Sequence, residues 1–431
     1  MKKMLGALLA SSLLLTGCAS AGQKPPDRDA DYTAPSITAR VFIESAARET
    51  RQGAVGTAGT EQVSAAEAGL APFAIEETEP PLQDRPEQGT GLSVSFRPET
   101  RTRSREDGSA LFISQIQHPA FCADDRQTTL WLEKQMEGIG ETMQQKAAEI
   151  LAQASTDYEQ RTDGLFYTYS YYSDLRVARM DRKAVSLLQM NSTYSGGAHP
   201  NNLQQTYTFD LETHRQLTLQ DVLLPAAADK VLEGLLDKLE QQIGSVAVQG
   251  LFPEYRRLVT KQFSGGATDN WYFSREGLTF FFNSYDIAPY AAGVIDICFR
   301  YEELGDILQP AYFPEPVQTR GQDGELVCLT EPGNRTVLVS GDPAQEAVYL
   351  TGRGEIRDLR VYSVSGWVSE NAPIISSMTF AADRLGDGQA LQISVAEQQE
   401  YLLIYHTNAG KKCACLLSDD GLKKMDDLII K

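Results

Sequence analysis

The chain has 431 residues, 42% of them hydrophobic and 9% aromatic, enough for two or three domains with sizeable cores. Its formal charge at pH 7 is −19, a field that repels nucleic acid and anionic lipid headgroups and steers cationic partners inward, although plain solubility also calls for charge. Nucleic acid is therefore not expected as a partner.

Lysines at positions 2 and 3, an apolar run from Met4 to Leu15, and the tetrad Leu15-Thr16-Gly17-Cys18 read as a signal peptide over residues 1–17. The run is too short to cross a bilayer. The tetrad resembles a bacterial lipobox, which implies that Cys18 becomes the first mature residue and is acylated after export; an ordinary secretory peptide would leave that thiol unmodified. At ~0.8 kcal/mol per buried CH₂, one acyl chain holds a protein marginally, and two or three hold it stably. No other stretch approaches the apolar length of a membrane span. The sequence thus predicts an extracytoplasmic protein, anchored to the bacterial cell membrane through lipid only.

Residues 18–91 are rich in Ala, Gly, Pro, Thr and Glu without a sustained period, and read as a disordered tether. A coil of about 70 residues reaches on the order of 45 Å. Beyond Cys18 the cysteines are Cys122, Cys298, Cys328, Cys413 and Cys415. That odd set argues against a full disulfide framework, and their spacing lacks the ligand pairs of a zinc site.

From Leu92 the pattern becomes that of folded protein. Leu92 to Phe96 and Ala110 to Ile116 read as a hairpin, which His118 and Pro119 then interrupt. Leu132, Met136, Ile139, Met143, Ala147, Ile150, Ala154 and Tyr158 recur at steps of four and three, predicting an amphipathic helix over 128–161 that lies on a sheet. Strands follow over 165–179, 183–194 and 204–210. Thr218 is placed to cap a short helix, and a second amphipathic helix is expected over 227–248. Trp271 to Ser274, Leu278 to Asn283 and Val294 to Tyr301 are β-favouring, with a terminal helix expected over 301–308. Strand runs with segregated helices define an α+β class.

Two loops stand out. Ser195, Gly196, Gly197, His199, Asn201 and Asn202 form a turn whose glycines let backbone approach a partner closely. Between the last two strands, Tyr285, Asp286, Pro289 and Tyr290 offer rigid amphipathic contact area. Residue types leave two readings open: an outward contact surface, or a long loop whose Ile287 and Tyr290 tuck into their own core.

Ser195 to Pro200, Tyr207 to Glu212 with Leu217 to Val222, Trp271 to Phe273 with Gly277 to Phe280, and Tyr285 to Gly293 with Tyr301 to Leu304 resemble, in the same order, the extracytoplasmic module shared by the anti-sigma factor RsiV and the peptidoglycan deacetylase PdaC. The resemblance covers 92–314. It implies a non-catalytic module that binds a partner in the envelope without identifying that partner, for which a cationic protein such as lysozyme or cell-wall glycan is the expectation. The sigma-binding segment and transmembrane helix of the anti-sigma factor have no counterpart here, and neither has the histidine and acidic metal site of the deacetylase.

Residues 315–431 hold eight short strand-like runs and read as a separate all-β, sandwich-like domain. His199 is the best candidate for chemistry, and with an unidentified carboxylate it could serve a cell-wall hydrolase. Ser195 lies nearby, but Gly-x-Ser-x-Gly is absent and no third member can be assigned. No phosphate loop, Rossmann fingerprint or EF-hand appears, so no enzyme activity, cofactor or metal is expected. A purely architectural lipoprotein is the remaining alternative.

Overall fold

The computed structural model describes residues 91–431 except 162–164, 243–249, 264–267, 315–323, 330–334, 341–346, 370, 386–388, 396–397, 426–427 and 429–431. The expected signal peptide, Cys18, nearly all of the tether and the end of the second amphipathic helix lie outside the described residues. The fold is α+β, mostly antiparallel strands with few helices.

β1 (Ser93–Ser104) and β2 (Ala110–Cys122) form a hairpin closed at Arg105–Ser109, where Gly108 has φ 81°. β2 runs through His118 and Pro119 rather than stopping. It pairs with β3 (Tyr169–Met180) only as far as Ile116 opposite Ser173, so Pro119 needs no donor on that side. Helix α1 (Arg126–Gln160) is the crossover that makes this pair parallel; Asp125 caps it by accepting from Gln127 N and Thr128 N at 2.9 and 2.8 Å. The stripe from Leu132 to Ala154 is buried against β1–β3 and β4 (Ala184–Tyr194), as its spacing requires.

β5 (Asn201–Asp210) and β6 (Arg215–Gln216) complete that side. The expected Thr218 cap forms, through Asp221, and opens helix α2 (Leu219–Val222). Helix α3 (Ala228–Gln242) buries Val231, Leu235 and Leu239, and α4 (Tyr255–Gln262), which the sequence reading passed over, buries Val259. Both pack on a small sheet of β7 (Trp271–Phe273), β8 (Gly277–Phe282) and β9 (Ile295–Arg300). The helix expected over 301–308 is a single 3-10 turn at Tyr301–Glu303. Beyond it the backbone bridges Leu308 to Leu223, a pairing that a continuing helix would forbid.

The C-terminal residues are all β, as expected. β10 (Glu325–Leu329), β12 (Ala347–Arg353), β15 (Gln389–Ser394) and β11 (Arg335–Ser340) form a four-stranded sheet. It packs face to face on β13 (Ile356–Ser369), β14 (Ala372–Leu385), β16 (Glu400–Thr407) and β17 (Lys412–Ser418), with Leu350, Leu359, Val361, Phe380, Leu391 and Leu403 between them. β18 (Gly421–Lys424) is an additional edge strand.

This sandwich is not detached from what precedes it. β14 pairs with β1 at Ser93–Ser95, so one eleven-stranded sheet, ordered β18-β17-β16-β13-β14-β1-β2-β3-β4-β5-β6, crosses the expected boundary at 314/315. Arg360 on β13 fastens the seam by donating to the carbonyls of Val177 and Ala178, each at 3.0 Å. Beside it Arg275, in the β7–β8 turn, meets Asp358 and donates to Nδ1 of His406 at 2.6 Å. Cys298, Cys328, Cys413 and Cys415 are thiols. No helix among the described residues is long and apolar enough to cross a membrane.

Candidate functional site

The two loops singled out in the sequence meet. The first joins β4 to β5. Gly196 sits at φ 84°, which favours glycine, and a Cβ there would come within 3.1 Å of the Tyr169 ring, a close approach. Ser195, Gly196, Gly197 and Asn201 are exposed. His199 is also exposed; its Nδ1 donates to the Pro200 carbonyl at 2.9 Å, which in the neutral ring leaves Nε2 as the acceptor. Facing Nε2 at 3.4 Å is the hydroxyl of Tyr285, on the second loop.

That second loop runs from Asn283 to Val294 between β8 and β9. Its root is held by amides. Asn283 accepts from Gln204 N at 2.7 Å and donates to Gln204 O at 3.1 Å, so one side chain completes the outer edge of β5 as a paired strand would. Asp286 Oδ2 accepts from Asn283 N at 2.7 Å and from Gln262 Nε2 at 2.9 Å, which ties the loop to α4. Asp286 is thus engaged in holding the loop. Ile287 and Ala288 are fully buried beneath it, whereas Tyr285 is 55% exposed at φ 73°. A bulky side chain in this left-handed region costs on the order of 1–3 kcal/mol. Pro289 is exposed and starts a 3-10 turn, Tyr290–Ala292, that ends at Gly293 with φ 68°.

The result is a tier of three rings. His199 stacks on Tyr290 with centroids 3.7 Å apart and planes 19° apart. Tyr285 stands 5.9 Å from Tyr290, tilted by 36°, and 6.5 Å from His199. Asn202 Nδ2 donates to the Tyr290 hydroxyl at 3.2 Å, and burial followed by the neighbouring Tyr285 raises the Tyr290 pKa, so it remains a neutral phenol. The middle of the loop, Ile287 and Ala288, tucks into the core as the second reading expects, whereas Tyr290 is half-buried and Tyr285 exposed.

His199, Tyr285 and Tyr290 are therefore brought together, with Pro289 and Asn201 at the rim. Sequence reasoning missed Asn283, Gln204 and Gln262, which position the loop; an Asn directly after the strand run Leu278–Phe282 was the available signal. On β9, Asp296 takes a long contact of 3.5 Å from the Tyr272 hydroxyl. The ring nitrogens of His199 face Pro200 and Tyr285 rather than Ser195 or a carboxylate, an arrangement without a nucleophile and its base. Among the described residues, no group of three or more His, Cys, Asp or Glu is placed to hold a metal ion.

Fold and site together define an α+β module with a solvent-facing aromatic tier between two β-loops. Residues 221–302, which include the second loop, match the model of a domain family described as a protein of unknown function, DUF3298. Similar solved structures include a DUF3298 family member from Bacteroides fragilis, at 19% identity and a TM-score of 0.40 over 52% of this chain and 96% of that one. Another is a DUF3298 family protein from Pseudomonas aeruginosa, at 18% identity and a TM-score of 0.37 over 52% and 97%. No curated protein matches the chain.

Proposed function

We propose that the protein is a non-catalytic receptor of the bacterial envelope, carried on a lipid anchor at Cys18, that grips its ligand with Tyr285, Tyr290 and His199. The observation that carries this reading is Tyr285, an aromatic ring held more than half exposed on backbone that disfavours it. Strain of this kind persists where the surroundings impose it, and the Asn283, Asp286 and Gln262 bonds are what impose it here. The ligand in this reading is a cationic protein of the lysozyme type. No Lys or Arg occurs in Ser195–Gln205 or in Asn283–Asp296, and the whole chain carries −19. Open tyrosine faces and a negative field both favour cationic side chains. Cell-wall glycan is the second reading, favoured by the exposed polar Ser195 and Asn201 flanking the rings.

The test is calorimetric titration of the mature full chain, made soluble by Cys18→Ser, with lysozyme and separately with soluble peptidoglycan fragments. Heat with lysozyme that falls as salt rises, and that Tyr285→Ala abolishes, supports the protein reading. Salt-independent heat with the fragments transfers the site to glycan. Silence with both ligands removes the receptor reading, and release of cleaved products that depends on His199 replaces it with a hydrolase.

A further inference from the structure

β1 outruns the sheet on one side of it. β14 pairs with it only over Ser93–Ser95 and then turns away, its Met378 carbonyl held by Gln117 Nε2 of β2 at 2.7 Å. From Arg97 to Ser104 the strand pairs with β2 on one side and with no strand among the described residues on the other, and every residue there is exposed except the half-buried Glu99. This open edge is basic. It carries Arg97, Arg101 and Arg103 against the single carboxylate of Glu99, which is shared between Arg101 and His118 Nε2, the latter at 3.0 Å. Arg97 and Arg103 meet no carboxylate among the described residues. The chain as a whole is acidic, at −19. Charged side chains and a proline such as Pro98 keep an edge from pairing with a copy of itself: antiparallel self-pairing about Thr100 would set Arg97 against Arg103 twice. They leave the edge open to a strand of opposite charge.

We propose that the occupant of this edge is Phe73–Glu79 of the same chain, added to β1 as an antiparallel strand. From Gln52 to Asp84 the sequence has five glutamates and one aspartate and no Lys or Arg. Within that run Pro72, Pro80 and Pro81 cannot donate to a ladder, so the added strand lies between them, as Phe-Ala-Ile-Glu-Glu-Thr-Glu. The root of β1 is turned and clamped: Gly91 is buried at φ 71° and donates to Asp124 Oδ1 at 2.7 Å, and Leu92 N donates to Asp383 Oδ1 at 2.9 Å. Antiparallel addition with Glu79 opposite Arg101 sets Glu77 opposite Arg103 and brings Pro80 level with Thr100, about 30 Å along β1 from Gly91. The eleven steps from Pro80 to Gly91 reach about 36 Å, so the link is long enough. On so short a link the segment meets the edge at an effective concentration on the order of millimolar, which suffices for a pairing too weak to form between separate molecules. The pairing does not depend on the lipid anchor; on the anchored reading above it would also fix which edge of the sheet is turned to the membrane.

The experiment uses the mature Cys18→Ser chain and reads hydrogen exchange by mass spectrometry in peptides covering Phe73–Glu79 and Arg97–Ser104. Both are expected to exchange on the order of tenfold more slowly at low salt than at about 1 M salt. Glu77→Arg with Glu79→Arg should remove that protection from both peptides. Arg101→Glu with Arg103→Glu should do the same, and the four substitutions together should restore it. Arg101 and Arg103 are exposed, so their variant should melt like the parent, and the melt is measured alongside. Should it melt lower, the Glu77 and Glu79 reversal still decides, since it alters no described contact. The inference is overturned if that reversal leaves the exchange of Arg97–Ser104 unchanged, or if the fourfold variant folds and fails to regain protection. It is also overturned if protection grows with protein concentration, which would assign the edge to a second copy.

Discussion

The seam around Arg360 and the loop around Tyr285 treat misplaced chemistry in opposite ways. At the seam, charge is partnered, half-buried at Arg360 and Asp358 and exposed at Arg275: Arg360 has Asp358 and two carbonyls, and Arg275 has Asp358 and His406. At the loop, an aromatic ring is put into water on unfavourable backbone, and its hydroxyl meets only a second exposed side chain at 3.4 Å. The first arrangement is architecture, because its partners would suffer from its loss. The second has partners that are themselves at the surface, and this is what the proposed function builds on. An unusual residue is thus informative through its neighbours, which either need it or do not.

The largest effect expected from breaking this contrast lies at the seam. Arg360→Ala leaves the Val177 and Ala178 carbonyls without the guanidinium while Asp358 keeps Arg275, and loss of charge-assisted hydrogen bonds of this kind costs on the order of 1.5–3 kcal/mol. Urea unfolding of the full chain measures it. A loss of that size, in one transition, makes the β region and the module one cooperative body. A loss below ~0.5 kcal/mol would make them independent, despite the shared sheet.

A smaller effect is set by pH. Burial, then the Arg275 guanidinium, lowers the His406 pKa from its ordinary 6.5 to about 4; Asp358 opposes the shift, and Lys412 and Arg360 add to it. Above pH 6.5 the ring is neutral folded or unfolded. As pH falls from 6.5 towards 4, the unfolded chain takes up a proton that the folded one refuses, and stability is lost, on the order of 2 kcal/mol. Asp383 acts with the opposite sign in part of that window. Its carboxyl, pushed up to about 6 by burial, holds a proton when folded that the unfolded chain has released, so its contribution grows as pH falls from 6 to 4. The measurement is therefore a difference: chemical denaturation of the parent and of His406→Gln at pH 7 and pH 4.5. The gap should narrow at the lower pH, and a constant gap would mean that His406 titrates normally.

The two regions were not equally legible in the sequence. The helix over Arg126–Gln160 and the eight expected C-terminal strands announced themselves through local periodicity, and periodicity is what a single chain displays. The meeting of His199 with Tyr285 could be suspected, because glycine, proline and aromatic residues in loops have few structural uses. The seam could not. Arg275, Asp358 and His406 are far apart in sequence and ordinary in type; the β13–β16 ladder sets His406 beside Asp358, and Arg275 reaches both from the β7–β8 turn. The same blindness made 314/315 look like the end of a domain, since local pattern changes there while the sheet does not. The expected helix at 301–308 failed for a related reason: its residues favour a helix, but the bridge between Leu308 and Leu223 is a long-range bond.

The smallest change sharpens the contrast most, because it is predicted to improve one property and destroy another. Tyr285→Gly relieves φ 73° without removing a buried contact, and glycine adopts that conformation without steric penalty. Glycine also gains entropy in the unfolded chain, which offsets part of the relief. The net expectation is a stabilisation on the order of 0.5–1 kcal/mol, read as a rise in Tm, together with loss of ligand binding. Tyr285→Ala separates the two contributions, since it removes the ring and keeps the strain. It should lose binding as completely as the glycine variant while melting no higher than the parent. If Tyr285→Gly instead lowers Tm, the ring is helping to hold its own loop together, and the argument that it is held outward for a partner loses its main support.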